Sequence, residues 1–135
     1  MVIEKAMHKQ KFQLSEADSL IILPCIVSDE EVSLALDTGA SHTVVDLTKL
    51  LIAGYKISES LRNEVFETAK GTVEAFVFKV DTFHALGTTL KNIEVCSYDF
   101  LGNNVLSEID GVLGLDFFRN TDLRINFKTS EIFLS

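Results

Sequence analysis

The stretch Asp37-Thr38-Gly39-Ala40-Ser41 constrains this chain more than any other. It follows an apolar run of period two, Val32, Leu34 and Leu36, so the acid stands at the end of a half-buried strand. Gly39 permits a sharp turn and a close approach of the backbone, and its N–H can face the carboxylate. The stretch occurs once in 135 residues. Chemistry that needs two such acids must therefore take the second from another molecule.

A chain of this length fits one domain: it can bury a core, but it is too short for two full lobes around a cleft. Hydrophobic residues make up 47 %, which excludes a disordered tail. The net charge of −8 argues against nucleic-acid binding, where phosphate neutralisation dominates. The basic cluster Lys5, His8, Lys9 and Lys11 reads as a solvated arm. Residues 1–18 are accordingly expected as a polar N-terminal arm or first strand, and 19–135 as the main domain. The opening Met-Val-Ile-Glu-Lys-Ala is broken by charge before an apolar stretch forms, so no signal peptide is expected. No apolar run approaches the ~20 residues of a membrane span. Cys25 and Cys96 lie in apolar strand patterns and read as buried free thiols of a reducing, cytoplasmic compartment, with a single disulfide as the lesser alternative.

Short β-rich segments fill the chain. Leu20–Val27 is an apolar run in which Pro24 marks an edge or a bulge. A turn over 28–31 leads into Val32–Leu36, which makes a hairpin. Thr43-Val44-Val45 is a further strand, and 46–53 a short helix with Asp46 as N-cap and Gly54 as terminator. Glu64–Thr68 and Thr72–Val80 form a hairpin around Ala69-Lys70-Gly71. Thr89–Ser97 is a strand, and 100–108 a loop. Ile109–Gly114 is an apolar strand with two glycines, and Asp116–Asn120 opens a second short helix. Leu123–Phe127 and Glu131–Leu134 form a last hairpin. Many short strands with one or two brief helices give a mostly β sandwich or barrel.

A solvated Asp has a pKa near 3.9 and cannot serve as both acid and base. Two carboxylates held ~3 Å apart cannot both ionise and share one proton. The ionised partner then activates a water, and the protonated one donates to a carbonyl oxygen. Asp-Thr-Gly alone is a weak signal, because an Asp capping a turn before a glycine of positive φ gives the same letters. The context is more specific: an apolar strand precedes the acid, and Val112-Leu113-Gly114 follows much later.

Taken together, Leu36-Asp37-Thr38-Gly39-Ala40-Ser41 and Asp110-Gly111-Val112-Leu113-Gly114-Leu115-Asp116-Phe117-Phe118 resemble the retropepsin-like aspartic proteases. These are the single-lobe, homodimeric relatives of pepsin, and the likeness is greatest to the small bacterial and cellular members. The order of segments fits over 20–134. The resemblance implies a closed acid-protease-like β-barrel with one lobe per chain, whose acid loop and Val112-Leu113-Gly114 strand cross as a ψ. It implies a symmetric dimer with one catalytic Asp37 from each protomer. Thr38 and Gly39 would link the two acid loops, and Asp116 would brace the loop through Thr43. Ala40, Ser41, His42 and Val112 would face the substrate, as would Lys70 and Gly71 at the tip of a flap. That tip has one glycine where viral flaps have several.

Pepsin-like enzymes usually place Ser or Thr at the position of Ala40, where the hydroxyl favours the charged carboxylate. With Ala40 the dyad is expected to keep its proton to higher pH and to work in mildly acidic conditions. His8, His42 and His84 show no ligand spacing with Cys25 and Cys96, so neither a metal nor a cofactor is expected. The expected function is a homodimeric endopeptidase acting on extended peptide segments. The alternatives are a non-catalytic peptide-binding or dimerisation module on the same fold, and a precursor kept inactive by residues 1–18.

Overall fold

The computed structural model describes residues 7–16, 19–68, 71–100, 102 and 108–135, with the backbone alone over 66–68. Among them the chain order is β1 (His8–Lys11), β2 (Gln13–Leu14), β3 (Ile21–Val27), β4 (Glu30–Leu36), β5 (Val44–Asp46), α1 (Leu47–Ile52), a 3-10 turn (Ile57–Glu59), β6 (Arg62–Thr68), β7 (Gly71–Ala85), β8 (Thr88–Tyr98), β9 (Gly111–Leu113), β10 (Leu123–Asn126) and β11 (Glu131–Leu134). The mostly β, single-lobe architecture is the one expected. The start of the N-terminal arm, Lys70 at the hairpin tip and most of the 100–108 loop lie outside the described residues.

One sheet has the order β2-β3-β4-β9-β5-β8-β7-β6, and β3 also pairs with β7, which closes a ring of strands. Pro24 lies where the second edge of β3 changes partner, since β2 pairs with Ile21 and Ile22 and β7 with Cys25–Val27. A residue without an N–H costs no ladder bond at that gap. Fully buried Leu23, Leu34, Val45, Leu50, Phe78, Phe83 and Leu113 fill the inside, each contributing ~1.5–3 kcal/mol by burial.

Short β9 is inserted between β4 and β5, although those two strands are consecutive in the ring segment of the chain. It runs parallel to β4 (Ala35 opposite Val112) and antiparallel to β5 (Val44 opposite Val112). The 37–43 loop joining β4 to β5 must therefore arch over the end of β9, and this is the ψ crossing. Gly111 at the start of β9 has φ +147, and a side chain there would run into the Val44 carbonyl. After β5, Asp46 caps α1 by accepting from the Thr48 amide at 3.3 Å, and Gly54 follows with φ +105.

A second sheet has the order β1-β11-β10. Residues 8–14 join both sheets: β1 pairs with β11, β2 with β3, and Phe12 between them is buried, donating its N–H to Ser130 O at 2.9 Å. The segment is thus strand-paired to both sheets, with Phe12 as its buried residue. The second helix expected at Asp116 is instead a run of turns over 115–120. Phe117 and Phe118 bond back three residues, to Gly114 O and Leu115 O, and Asn120 at φ +59 turns the chain away. The side chain of Asp116 is drawn back to Thr43, and this anchoring ends the helix before a full turn can propagate.

Both thiols are free and buried. Cys25 lies opposite Ala85 and Cys96 opposite Val77 on the same strand β7, about 25 Å apart at ~3.3 Å per residue, far beyond disulfide reach. Burial pushes Cys25 up to about 12 and Cys96 to about 11, so neither is a nucleophile near neutrality. No helix among the described residues is long and apolar enough to cross a membrane, and no group of three or more His, Cys, Asp or Glu side chains there is placed to hold a metal.

Candidate active site

The acid loop begins where β4 ends. The Asp37 amide donates to Leu113 O at 3.0 Å, which fixes its main chain to β9. A tight turn follows, closed by Ala40 N to Asp37 O at 3.2 Å. Inside it the Gly39 amide donates to Asp37 Oδ1 at 2.9 Å. A Cβ on Gly39 would stand 3.1 Å from that same oxygen, so the turn suits a glycine. Asp37 and Ala40 are half-buried, and Thr38, Gly39, Ser41 and His42 are exposed. The Ser41 hydroxyl and His42 Nδ1 are hydrogen-bonded at 2.9 Å.

Thr43 is the buried end of the loop, at 2 % exposure. Its hydroxyl donates to Asp116 Oδ1 at 2.7 Å, and its amide to Asp116 Oδ2 at 3.0 Å. The same hydroxyl accepts from the Gly114 amide at 3.1 Å, and the Thr43 carbonyl accepts from Cys96 N at 3.0 Å. Every polar group of Thr43 is therefore matched. The Leu115 amide adds a bond to Ala40 O at 2.8 Å. Gly114 has no room for a side chain, because a Cβ would come within 2.6 Å of the His42 carbonyl.

A further acid supports β4 from behind. Asp110 accepts from the Ser33 amide through Oδ2 at 2.8 Å and donates its own amide to Ser33 O at 2.7 Å. Its carbonyl takes the Asp46 amide at 2.6 Å. Asp110 thus extends the β9 ladder by one residue on both sides. Sequence reasoning gave Asp110, Gly111 and Gly114 no roles of their own. The signal was an Asp-Gly pair opening an apolar strand, which asks for a polar anchor followed by a special φ.

The structure brings 37–43 together with 113–116. Val112 is half-buried in the ladder between β4 and β5. Gly71 lies elsewhere, at the end of the β6–β7 hairpin, opposite Thr68 and with φ +117. Ser97 marks where that hairpin leaves the ring: its hydroxyl accepts from Phe76 N at 3.1 Å and donates to Phe76 O at 2.9 Å, replacing the strand partner. Beyond it β6 and β7 pair with each other alone.

A one-lobe β fold with a ψ crossing and an Asp-Thr-Gly loop defines the retropepsin-like class of aspartic proteases. The fold is similar to the crystal structure of a retropepsin-like aspartic protease from Rickettsia conorii, with TM-score 0.68 at 16 % identity over 99 % of this chain and 96 % of that one. It is also similar to EIAV protease complexed with the inhibitor HBY-793, with TM-score 0.57 at 19 % identity over 80 % of this chain and 93 % of that one. A search of curated proteins finds no match to the sequence. The sequence profile described as aspartyl protease matches residues 23–117, and the chain belongs to that family.

Proposed function

We propose that two copies of this chain form an aspartic endopeptidase in which one Asp37 from each protomer makes up the catalytic dyad. The observation that carries this reading is a single acid loop that is braced from below and open above. Asp37 holds its Gly39 amide bond, while the Thr38 hydroxyl has no partner among the described residues. The other carboxylate at the loop, Asp116, is occupied by Thr43, so it does not stand in as a second acid. A second copy supplies both the missing acid and a partner for Thr38. EIAV protease, whose fold this chain shares, was solved with an inhibitor bound.

In the dimer one Asp37 carboxylate takes a proton from water while the other donates to the scissile carbonyl oxygen. The proton then passes to the leaving amine. Ser41 and His42 lie beside the acid and contact the peptide on either side of the cleaved bond. The β6–β7 hairpin closes over the substrate as a flap and excludes water. The two buried thiols fit a reducing, cytoplasmic compartment.

The test is cleavage of a peptide library by the wild-type chain and by Asp37→Asn, with sedimentation on both. Cleavage that disappears in Asp37→Asn while the dimer persists supports the reading. Cleavage that persists in that variant, or a wild-type chain that is monomeric at every concentration, overturns it.

A further inference from the structure

The loop 37–43 and the segment 112–116 that braces it carry a single basic side chain between them, His42. Its main chain lies close to the acid. A Cβ on Gly114 would meet both the Ala40 and the His42 carbonyl oxygens, at 2.9 and 2.6 Å, and Ala40 closes the turn on Asp37. The residue is exposed, and its ring is held on one side only. Nδ1 shares a hydrogen bond with the Ser41 hydroxyl at 2.9 Å, while Nε2 has no partner among the described residues. A hydroxyl donates to a neutral ring nitrogen and accepts from a protonated one. Ser41 therefore supports the same ring orientation in both charge states. With the hydroxyl donating, or with the ring charged, Nε2 carries a proton and is a free donor.

Two acids stand near this ring, Asp37 on the same loop and Asp116 on the turns packed beneath it. Neither is paired with it: Asp116 gives both oxygens to Thr43, and Asp37 accepts from Gly39. His42 makes no ion pair among the described residues, so its charge is available to a ligand. We propose that His42 makes the site selective for peptides that carry an Asp or Glu side chain near the cleaved bond, the side-chain carboxylate accepting from Nε2. The inference deepens the proposed function and rests on it, since it assigns a substrate class to that same acid site.

The chain's net charge of −8 repels acidic peptides in general, but salt screens that field, whereas a pair at contact acts locally. Selection therefore comes from the side chain that touches the carboxylate. Imidazoles gain their charge below about pH 6.5, and glutamates lose theirs below about pH 4.3. The pair of opposite charges exists between those two values, which overlaps the mildly acidic range expected from Ala40. A carboxamide can also accept from Nε2, but it gains nothing from the charge. Glu against Gln at one position thus isolates the ionic part of the recognition.

Paired peptides test it, identical except for Glu or Gln placed in turn at each position flanking the cleaved bond. For the wild-type chain at about pH 5.5, kcat/KM is expected to favour Glu by about three- to fivefold at one position, the size of a solvent-screened ion pair, and the preference should fade by about pH 7.5. His42→Ala should bring the ratio to about one at both pH values. His42→Lys, whose charge persists through this range, should keep the preference at the higher pH as well. The ratio is internal to each variant, so a general loss of activity or of folded protein does not imitate it. The same ratio is expected in the Kd of Asp37→Asn, which tests recognition without cleavage. Equal cleavage of both peptides by the wild-type chain at the lower pH, or an unchanged preference in His42→Ala, overturns the inference and leaves the protease reading standing. A preference in binding that follows His42, in a chain that cleaves nothing, counts against the protease reading alone. Failure to bind either peptide overturns the inference as well.

Discussion

The acid loop and the β6–β7 hairpin are held by different chemistry. The loop is tied by buried bonds to residues more than seventy positions away: Thr43 to Asp116 and, behind it, Ser33 to Asp110. Beyond Ser97 the ladder runs between β6 and β7, and the side-chain bonds described at the base of this hairpin are exposed ones, Arg62 with Glu64 and with Glu94 of β8, and Asn63 with Glu74. A buried donor left without its acceptor costs ~1–3 kcal/mol, whereas exposed ion pairs are worth ~0–1 kcal/mol. The lesson is a division of labour. The acid loop is over-determined, and the hairpin, which the proposed function makes a flap, is joined at its base by exposed contacts that cost little to break.

The predictions test that division in decreasing order of effect. Asp37→Asn is expected to lower peptide cleavage by about 10³-fold or more with no change in melting temperature, since it alters chemistry and leaves the bracing intact. Steady-state kinetics and calorimetry on one preparation decide this. Asp116→Ala should remove two acceptors from Thr43 and cost ~2–4 kcal/mol, measured by urea unfolding. A cost no larger than that of a surface substitution would erase the contrast between loop and hairpin. Ala40→Ser should move the acid limb of the pH–rate profile toward lower pH by roughly one unit, through a hydroxyl that favours the charged dyad. A wild-type profile still rising below pH ~3 would contradict the underlying argument.

Two smaller effects follow. Burial, with Asp110 and Asp99 nearby, raises the Asp46 carboxyl above its ordinary range, against the Thr48 and Phe100 amides that lower it. The folded chain therefore holds that proton more tightly than the unfolded one, and stability falls as pH rises through the Asp46 range. Asp46→Asn keeps an oxygen for the Thr48 amide. It should stabilise by roughly a few tenths of a kcal/mol at neutral pH, and the gain should vanish in acid. Arg62→Ala should leave the melting temperature unchanged, because its partners are solvated.

Much of this was legible before any coordinates. Alternation in Val32–Leu36, the Asp46 cap and Gly54 placed β4, β5 and α1 within a residue or two, because local periodicity and caps are local physics. The pairing of β9 between β4 and β5 is non-local, and it came from resemblance alone. The missing helix at 116 shows the limit most clearly. Its residues carry a helix start signal, but a bond from Asp116 to Thr43 overrides it, and no window around 116 contains Thr43. For 8–14 the sequence left an arm and a first strand both open, and the strand partners, β11 and β3, lie outside any local window. Lys9 and Lys11 made the segment look like a solvated arm, while Phe12, alone among charges, was its one core residue.

The insertion of β9 between β4 and β5 also sets an order of events. A chain that has emerged only as far as β8 has its Asp-Thr-Gly loop but nothing for that loop to arch over. The Asp37 amide waits for Leu113, and Thr43 waits for Gly114 and Asp116. Closing contacts across more than seventy residues is slow relative to hairpin formation. A growing polypeptide of this sequence therefore carries its candidate acid in a loop without these tethers until β9 and the 115–120 turns have been made.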